Sequence, residues 1–281
     1  MLKPVALITG ATDGIGKATA AALARKGFTV VLLARSAAKA ETVKDEIGRA
    51  TGATDLDHVV ADFASLRQVR EAAETLRRKY PRLDVLINNA GILAPRRVIS
   101  EDGYELTYQV NYLAHFLLTQ SLLDTLRNGE RSRIINLSSN VYNLGKLDRE
   151  NLQGERKFSP IGAYAASKLF MLMFSIELAE RLRGTRITAN AVHPGVVRTP
   201  MLANAQGLFK LIAYLALPFS VSPEKGAATS VHLASSSETE RLSGLYFVNS
   251  KPQKIKSKFE AKQYRELLWQ LSMDNLQKAA G

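Results

Sequence analysis

Short runs of β-branched and other apolar residues alternate along the chain with longer segments whose apolar positions recur every three or four residues. The short runs predict strands at 5–9, 29–34, 59–60, 85–88, 134–137, 187–192 and 245–248. Because parallel strands need helical crossovers, the alternation predicts an α/β fold with a doubly wound parallel sheet of about seven strands. A chain of 281 residues can bury one large core, so we expect a single domain over 1–281.

A glycine-rich turn follows the first predicted strand and leads into a helix. It reads Thr9-Gly10-Ala11-Thr12-Asp13-Gly14-Ile15-Gly16. A strand, a glycine turn and a helix N-terminus together direct backbone N–H groups and the positive helix end at a pyrophosphate. The pattern predicts a dinucleotide-binding (Rossmann) fold, with cofactor contacts from Gly10, Thr12, Asp13, Gly14, Ile15 and Gly16. An ordinary strand-to-helix turn is the alternative, because glycines serve there too.

The residues about twenty positions after the glycines indicate which dinucleotide binds. An NAD site would have a carboxylate there, but the chain reads Leu32-Leu33-Ala34-Arg35-Ser36. The guanidinium of Arg35 can bind a 2′-phosphate, and charge-assisted hydrogen bonds of this kind contribute roughly 1.5 to 3 kcal/mol. We therefore predict NADP(H), while the carboxylate of Asp13 weakens that preference.

Tyr164 and Lys168 form the candidate acid/base pair. They lie four residues apart in the run Ala-Tyr-Ala-Ala-Ser-Lys, a spacing that puts both side chains on one face of a helix. An ammonium beside a phenol favours the ionised phenol, so we expect Lys168 to lower the pKa of Tyr164. A solvated helix face is the alternative.

The order of these motifs resembles that of the short-chain dehydrogenase/reductase family over residues 5 to about 250. The resemblance is carried by Thr9-Gly10 through Gly16, Asp62, Asn88-Asn89-Ala90-Gly91, Asn111, Ser138-Ser139, Tyr164 through Lys168, and His193-Pro194-Gly195 through Thr199. Within the family the chain looks most like the retinol dehydrogenase group, on 163–199, Tyr246-Phe247 and Leu268-Trp269.

The resemblance implies further cofactor contacts. They come from Asp62 at the adenine end, from Asn89 near the adenine ribose with Ala90 and Gly91, and from Pro194, Gly195, Val197 and Thr199 at the nicotinamide end. A structural role is the alternative for Asn89, and a plain turn for Pro194 and Gly195.

The resemblance also implies four catalytic residues for hydride transfer between an alcohol and a carbonyl group. Tyr164 is the acid/base, Ser139 stabilises the substrate oxygen, Lys168 binds the nicotinamide ribose, and Asn111 completes a water-borne proton path. Ser138 is expected to be structural, and a helix-packing amide is the alternative for Asn111. The four histidines show no metal-ligand spacing, so we predict no metal site and treat each as a packed or surface residue.

An apolar segment over about 200–221 predicts a substrate lid, which favours a lipophilic alcohol, aldehyde or ketone as substrate. Its alternatives are a core helix, an oligomer contact or a peripheral contact with a membrane surface. Because NADPH is generally kept reduced in cells, we expect carbonyl reduction in the cell. A helical tail over about 251–281 could cover the substrate mouth or cap a monomer. Relatives in the family often pair through the helices that carry Asn111 and Tyr164, so we expect a homodimer or a monomer.

Composition excludes several classes of protein. The chain has no cysteine, hence neither disulfides nor a thiolate nucleophile. Its 38 basic and 26 acidic residues give +12, but no nucleic-acid-binding motif accompanies the charge, so we predict no nucleic acid partner. The first strand begins without a preceding signal sequence, and the longest apolar stretch, 208–219, is too short to span a bilayer. We expect a soluble, cytoplasmic protein without a transmembrane segment.

A second interpretation comes from a different class: a catalytically silent NADP(H)-binding sensor or scaffold. Such a protein would be expected to lose Tyr164 or Lys168, and both are present.

Overall fold

Eight strands form one sheet at the centre of the protein. The computed structural model describes residues 3–197, 220–256, 259 and 261–279. The strands are β1 Val5–Thr9, β2 Thr29–Ala34, β3 Leu56–Val60, β4 Val85–Asn88, β5 Arg133–Leu137, β6 Thr188–His193, β7 Tyr246–Val248 and β8 Lys251–Gln253. Their order is β3-β2-β1-β4-β5-β6-β7-β8. All neighbours are parallel except β8, which runs antiparallel to β7.

Helices connect these strands. They are α1 Gly14–Arg25, α2 Ala37–Thr51, α3 Leu66–Lys79, α4 Leu106–Tyr108, α5 Ala114–Arg127, α6 Pro160–Arg181, α7 Pro223–Ser235 and α8 Lys262–Lys278. A π-helical turn, Gln109–Leu113, joins α4 to α5, and short 3-10 turns occupy Asn140–Leu144 and Ser237–Thr239. Serine side chains cap the N-termini of several helices. Ser65 Oγ accepts from the Gln68 N–H at the start of α3, and Ser159 Oγ accepts from the Gly162 N–H at the start of α6.

Each face of the sheet buries its own apolar core. On one face, side chains such as Leu23 of α1, Ile47 of α2 and Leu233 of α7 pack on the strands. On the other face, α3, α5, α6 and α8 pack around fully buried aromatic rings that include Phe116 and Phe170. Helices on both faces of a mostly parallel sheet confirm the doubly wound prediction.

The eighth strand corrects the predicted sheet and tail. Residues 251–253 pair with β7 as an edge strand, whereas the sequence analysis placed them in a helical tail. Their three side chains are exposed, so no apolar pattern marks them as a strand. The helical part of the tail is α8, and it lies along α6 on the outside of the sheet.

Most of the predicted lid lies outside the described residues, which resume at Ser220. Among the described helices, α6 is the one that is long and apolar enough to cross a membrane by length and composition. Two thirds of its apolar stretch is buried inside the protein (67%). Since α6 packs against β5 and β6, we assign it to the core.

Candidate active site

The glycine turn lies at the carboxyl edge of the sheet, where the strand order reverses between β1 and its neighbours β2 and β4. Ligands of open α/β sheets bind at such a switch point. Gly10 and Gly14 have φ angles of +64° and +47°, which side chains other than glycine rarely adopt. A Cβ on Gly16 would lie 2.3 Å from the Gly10 carbonyl oxygen, so the helix starts directly against the turn. Thr12 and Ile15 are half-buried within this turn.

Asn89 ties the end of β4 to the end of β1. Its Nδ2 donates to the carbonyl oxygens of Thr9 at 2.7 Å and Gly10 at 3.3 Å. The backbone N–H groups of Asn89 and Ala90 both donate to Thr9 Oγ1, at 2.8 and 2.9 Å. Asn89 therefore braces the walls of the predicted cofactor pocket.

Charged side chains surround the predicted adenosine end. Arg35 is exposed just after β2, and Lys39 Nζ lies 3.3 Å from Asp13 Oδ2. Asp13 also caps α1, because its Oδ1 accepts from the Gly14 N–H at 2.7 Å. Asp62 is half-buried after β3, and its Oδ1 accepts from the Ala64 N–H at 2.9 Å.

Tyr164 and Lys168 lie on α6 beside the end of β5. Lys168 Nζ is 5.5 Å from the centroid of the Tyr164 ring and donates to the Leu137 carbonyl oxygen at 3.0 Å. Ser138 is buried, and its hydroxyl donates to the Lys168 carbonyl oxygen at 2.7 Å. Ser139 is half-buried and lies at the start of the 3-10 turn that follows β5, so it is the serine of the pair with access to the cleft.

Asn111 lies in the π-helical turn and is fully buried. Its Oδ1 accepts from the Ile92 N–H at 2.7 Å, and its Nδ2 donates to the Ile92 carbonyl oxygen at 2.9 Å and to Ser167 Oγ at 3.0 Å. A Cβ placed on Gly91 would lie 3.4 Å from Asn111 Oδ1 and 3.6 Å from Lys168 Nζ. The amide of Asn111 and the ammonium of Lys168 therefore both border the space that a side chain at Gly91 would occupy.

Burial sets the protonation states of the acid/base pair. It raises the pKa of Tyr164 to about 12 and lowers the pKa of Lys168 to about 8. The expectation that Lys168 lowers the pKa of Tyr164 is wrong for this structure. The ammonium is directed at the Leu137 carbonyl oxygen, and loss of hydration is the effect that dominates at the phenol.

The predicted nicotinamide end is described in part. Pro194 and Gly195 follow β6, and Gly195 has a φ of +87°. Val197 is buried and pairs with Val221 in an isolated parallel bridge. Thr199 lies outside the described residues.

The sequence analysis left Lys39 out of the cofactor site and treated His115 only as a packed or surface residue. Lys39 follows Arg35 by four residues and lies in the first turn of α2, and this spacing is a signal that could have been used. His115 stands four residues after Asn111 and has no exposed surface. Over the described part of the chain, no group of three His, Asp or Glu side chains could hold a metal ion.

This fold and this cluster of side chains define the class of protein. A family described as short chain dehydrogenase matches residues 4–207, and the chain belongs to that family. The family consists of oxidoreductases that use nicotinamide cofactors.

The chain is similar to proteins and solved structures over most of its length. The chain is 41% identical to mouse (Mus musculus) retinol dehydrogenase 14 over 95% of its own length and 84% of that protein. Among solved structures, an uncharacterized protein from Mycobacterium paratuberculosis matches with a TM-score of 0.78 and 28% identity, over 97% of this chain and 92% of that one. The Pseudomonas aeruginosa RhlG/NADP active-site complex matches with a TM-score of 0.69 and 27% identity, over 87% of this chain and 93% of that one.

Proposed function

We propose that this protein is an NADP(H)-dependent oxidoreductase that interconverts a lipophilic alcohol with its aldehyde or ketone, and that it works as a carbonyl reductase in the cell. The observation that carries the proposal is the placement of Tyr164, Lys168, Ser139 and Asn111 at the carboxyl edge of the sheet, beside the glycine turn. Side chains from three separate elements converge there, which a packing role for any one of them would not require.

The residues present fit a dinucleotide. The turn from Gly10 to Gly16 exposes the N-terminus of α1 to a pyrophosphate, and bulkier residues at Gly10 or Gly16 would close the pocket against Ala90 and Asn89. Lys168 Nζ has three donors, and among the described residues only the Leu137 carbonyl oxygen receives one of them in a direct hydrogen bond. Its remaining donors are available to the nicotinamide ribose.

Two cations favour the 2′-phosphate of NADP(H). Arg35 is exposed at the end of β2, where an NAD site would have a carboxylate. Lys39 lies within reach of the same corner and pairs with Asp13, so the carboxylate that opposed NADP(H) in the sequence is already neutralised. The similar structure from Pseudomonas aeruginosa is an NADP complex, which supports this assignment.

Reduction of a carbonyl group builds negative charge on its oxygen, which must then take up a proton. The bound nicotinamide would supply the hydride. Ser139 would donate a hydrogen bond to the substrate oxygen, and Tyr164 would give it the proton. Lys168 and Asn111, which both border the space beside Gly91, would return a proton to Tyr164 through water.

The protonation states support the reductive direction. With a pKa raised to about 12, Tyr164 holds its proton at neutral pH and can give it to an alkoxide. Alcohol oxidation would instead begin from the phenolate, whose formation burial opposes.

A lipophilic substrate is supported by the name of the mouse relative and by the apolar sequence after Thr199. A catalytically silent sensor is the competing function. It is disfavoured because Ser139, Tyr164, Lys168 and Asn111 are all retained and lie together at one edge of the sheet.

The test is a screen of NADPH oxidation against lipophilic aldehydes and ketones, retinal included. We expect turnover with at least one of them, and a loss of about a hundredfold or more in kcat for Tyr164→Phe with NADPH affinity retained. Tyr264→Phe, on the exposed side of α8, is the matched control. Tight NADPH binding without turnover on any compound would identify a sensor instead.

A further inference from the structure

His115 is buried between the predicted cofactor turn and the predicted proton path, and the mechanism above does not use it. The side chain has no exposed surface and belongs to the first turn of α5. The ring of Phe63 packs edge-on against the imidazole, with 4.8 Å between the ring centroids. The imidazole is therefore held by packing in a single orientation.

Hydrogen-bond counting at Thr9 identifies the tautomer of His115. Thr9 Oγ1 accepts from the N–H groups of Asn89 and Ala90, and these bonds use both of its lone pairs. The hydroxyl proton is left to donate to His115 Nε2, which lies 2.9 Å away. Since Nε2 accepts, the ring proton is on Nδ1.

The other ring nitrogen contacts the main chain of Asn111. His115 Nδ1 lies 3.2 Å from the Asn111 carbonyl oxygen, so the Nδ1–H group donates to it. Asn111 is in the π-helical turn, where the i→i−4 ladder is interrupted, and such turns recur at functional sites. An imidazole thus binds a carbonyl group in the segment with irregular helical hydrogen bonding.

We propose that His115 is a positioning residue, which holds the turn carrying Asn111 in register with the cofactor turn through the connection Thr9–His115–Asn111. The inference rests on the proposed function, because it concerns the proton path of that reaction. Through this connection the end of β1, the end of β4 and the main chain of Asn111 form one hydrogen-bonded unit.

His115 acts as a fixed donor and takes no part in acid/base exchange. Burial, with a smaller contribution from the charge of Lys168, lowers the pKa of His115 to about 3. The ring therefore stays neutral over the range in which the enzyme would work. Its neutrality preserves the acceptor at Nε2 that the Thr9 hydroxyl requires.

Nitrogen-15 NMR of the full chain without cofactor tests the hydrogen bonds directly. We expect the His115 signal, assigned by its absence in His115→Gln, to show the Nδ1–H tautomer from pH 5 to 9. An Nε2–H tautomer, or titration of this ring within that range, would overturn the inference. This readout does not depend on turnover, so it remains decisive even if the proposed reaction fails.

Two substitutions test the two hydrogen bonds of His115 separately. Asparagine has its amide nitrogen near the position of Nδ1, so His115→Asn keeps a donor for the Asn111 carbonyl. Glutamine reaches the position of Nε2, so His115→Gln keeps only the contact with Thr9. We expect kcat to fall by about tenfold or more in His115→Gln and by about threefold in His115→Asn, with similar NADPH affinity in both.

His232→Gln on α7 is the control and should keep the kcat of the wild type. Equal losses in His115→Asn and His115→Gln, or losses that follow thermal stability or NADPH affinity, would show that the residue only packs the core. Failure of the wild type to turn over any carbonyl compound would count against the proposed function and would leave the NMR test to decide the connection.

Discussion

Lys39 Nζ lies 3.3 Å from Asp13 Oδ2, so the carboxylate of the glycine turn is already paired with a cation. Both side chains are more than half exposed, and the pair adds little to stability. Its importance is for cofactor choice, because an anion near a 2′-phosphate would otherwise repel it. The relationship leads to one prediction on Arg35 and one on Asp13.

Arg35→Asp should weaken NADPH binding by about tenfold to a hundredfold, since it removes a charge-assisted hydrogen bond and adds a repulsive anion. NADH binding should change much less. Titration of intrinsic fluorescence with each coenzyme measures both constants. Arg127→Ala, an exposed arginine at the end of α5, removes one charge elsewhere and should leave both unchanged.

Asp13→Asn should strengthen NADPH binding by about threefold or more, because asparagine preserves the helix cap while Lys39 is released for the phosphate. The same titration at low and high salt checks the electrostatic origin, since screening should reduce the gain. Unchanged affinity would mean that Lys39 does not reach the cofactor.

The buried ammonium of Lys168 predicts that the activity falls at alkaline pH. With a pKa lowered to about 8, Lys168 is charged below that pH and loses its proton above it. The kcat/KM for NADPH, which reports the free enzyme, should therefore fall as pH rises above about 8. Lys168→Arg keeps its charge to much higher pH, so its lower activity should lack this decline. Coincident profiles would contradict the assignment.

His193 predicts sensitivity of the fold to acid. Burial lowers the pKa of His193 to about 4, while its Nδ1 accepts from the Asn140 N–H. Below about pH 6.5 the unfolded chain binds a proton that the folded chain does not, so stability falls as pH drops from 6.5 towards 4. The contribution is at most about 1.4 kcal/mol per pH unit. His193→Asn keeps the acceptor, and urea unfolding at several pH values should show a shallower slope.

The ion pairs of Arg265 predict how much the attachment of α8 to α6 contributes to the free energy of unfolding. It is 7% exposed, and its guanidinium lies 3.5 Å from Glu177 and 2.8 Å from Glu180 on α6. Arg265→Ala should lower the free energy of unfolding by about 2 to 3 kcal/mol, because Arg181 is then the one cationic partner of Glu177 among the described residues. Lys262→Ala, at an exposed ion pair on the same helix, should change it by less than about 0.5 kcal/mol. Similar changes in the free energy of unfolding for the two variants would show that Arg265 does not anchor α8 to α6.

Local patterns were sufficient for most of the architecture. The predicted limits of β1, β2 and β4 match the structure residue for residue, because buried parallel strands are apolar over most of their length. The glycine turn likewise follows from chemistry within a few residues, whereas the choice of Ser139 over Ser138 came from the family resemblance. The strand β8 could not be predicted from local patterns. Its side chains are exposed and show no apolar alternation, and only its pairing with β7 defines it as a strand.

What the sequence by itself determined is the order of strands and helices and the residue types at the edge of the sheet, since these depend on local periodicity and backbone sterics. Only the tertiary structure decided which distant groups meet. Thr9 and His115 are 106 positions apart, and their hydrogen bond exists because the fold brings the first turn of α5 to the end of β1. Burial likewise decided that Tyr164 keeps its proton, since hydration of a side chain depends on the whole fold around it.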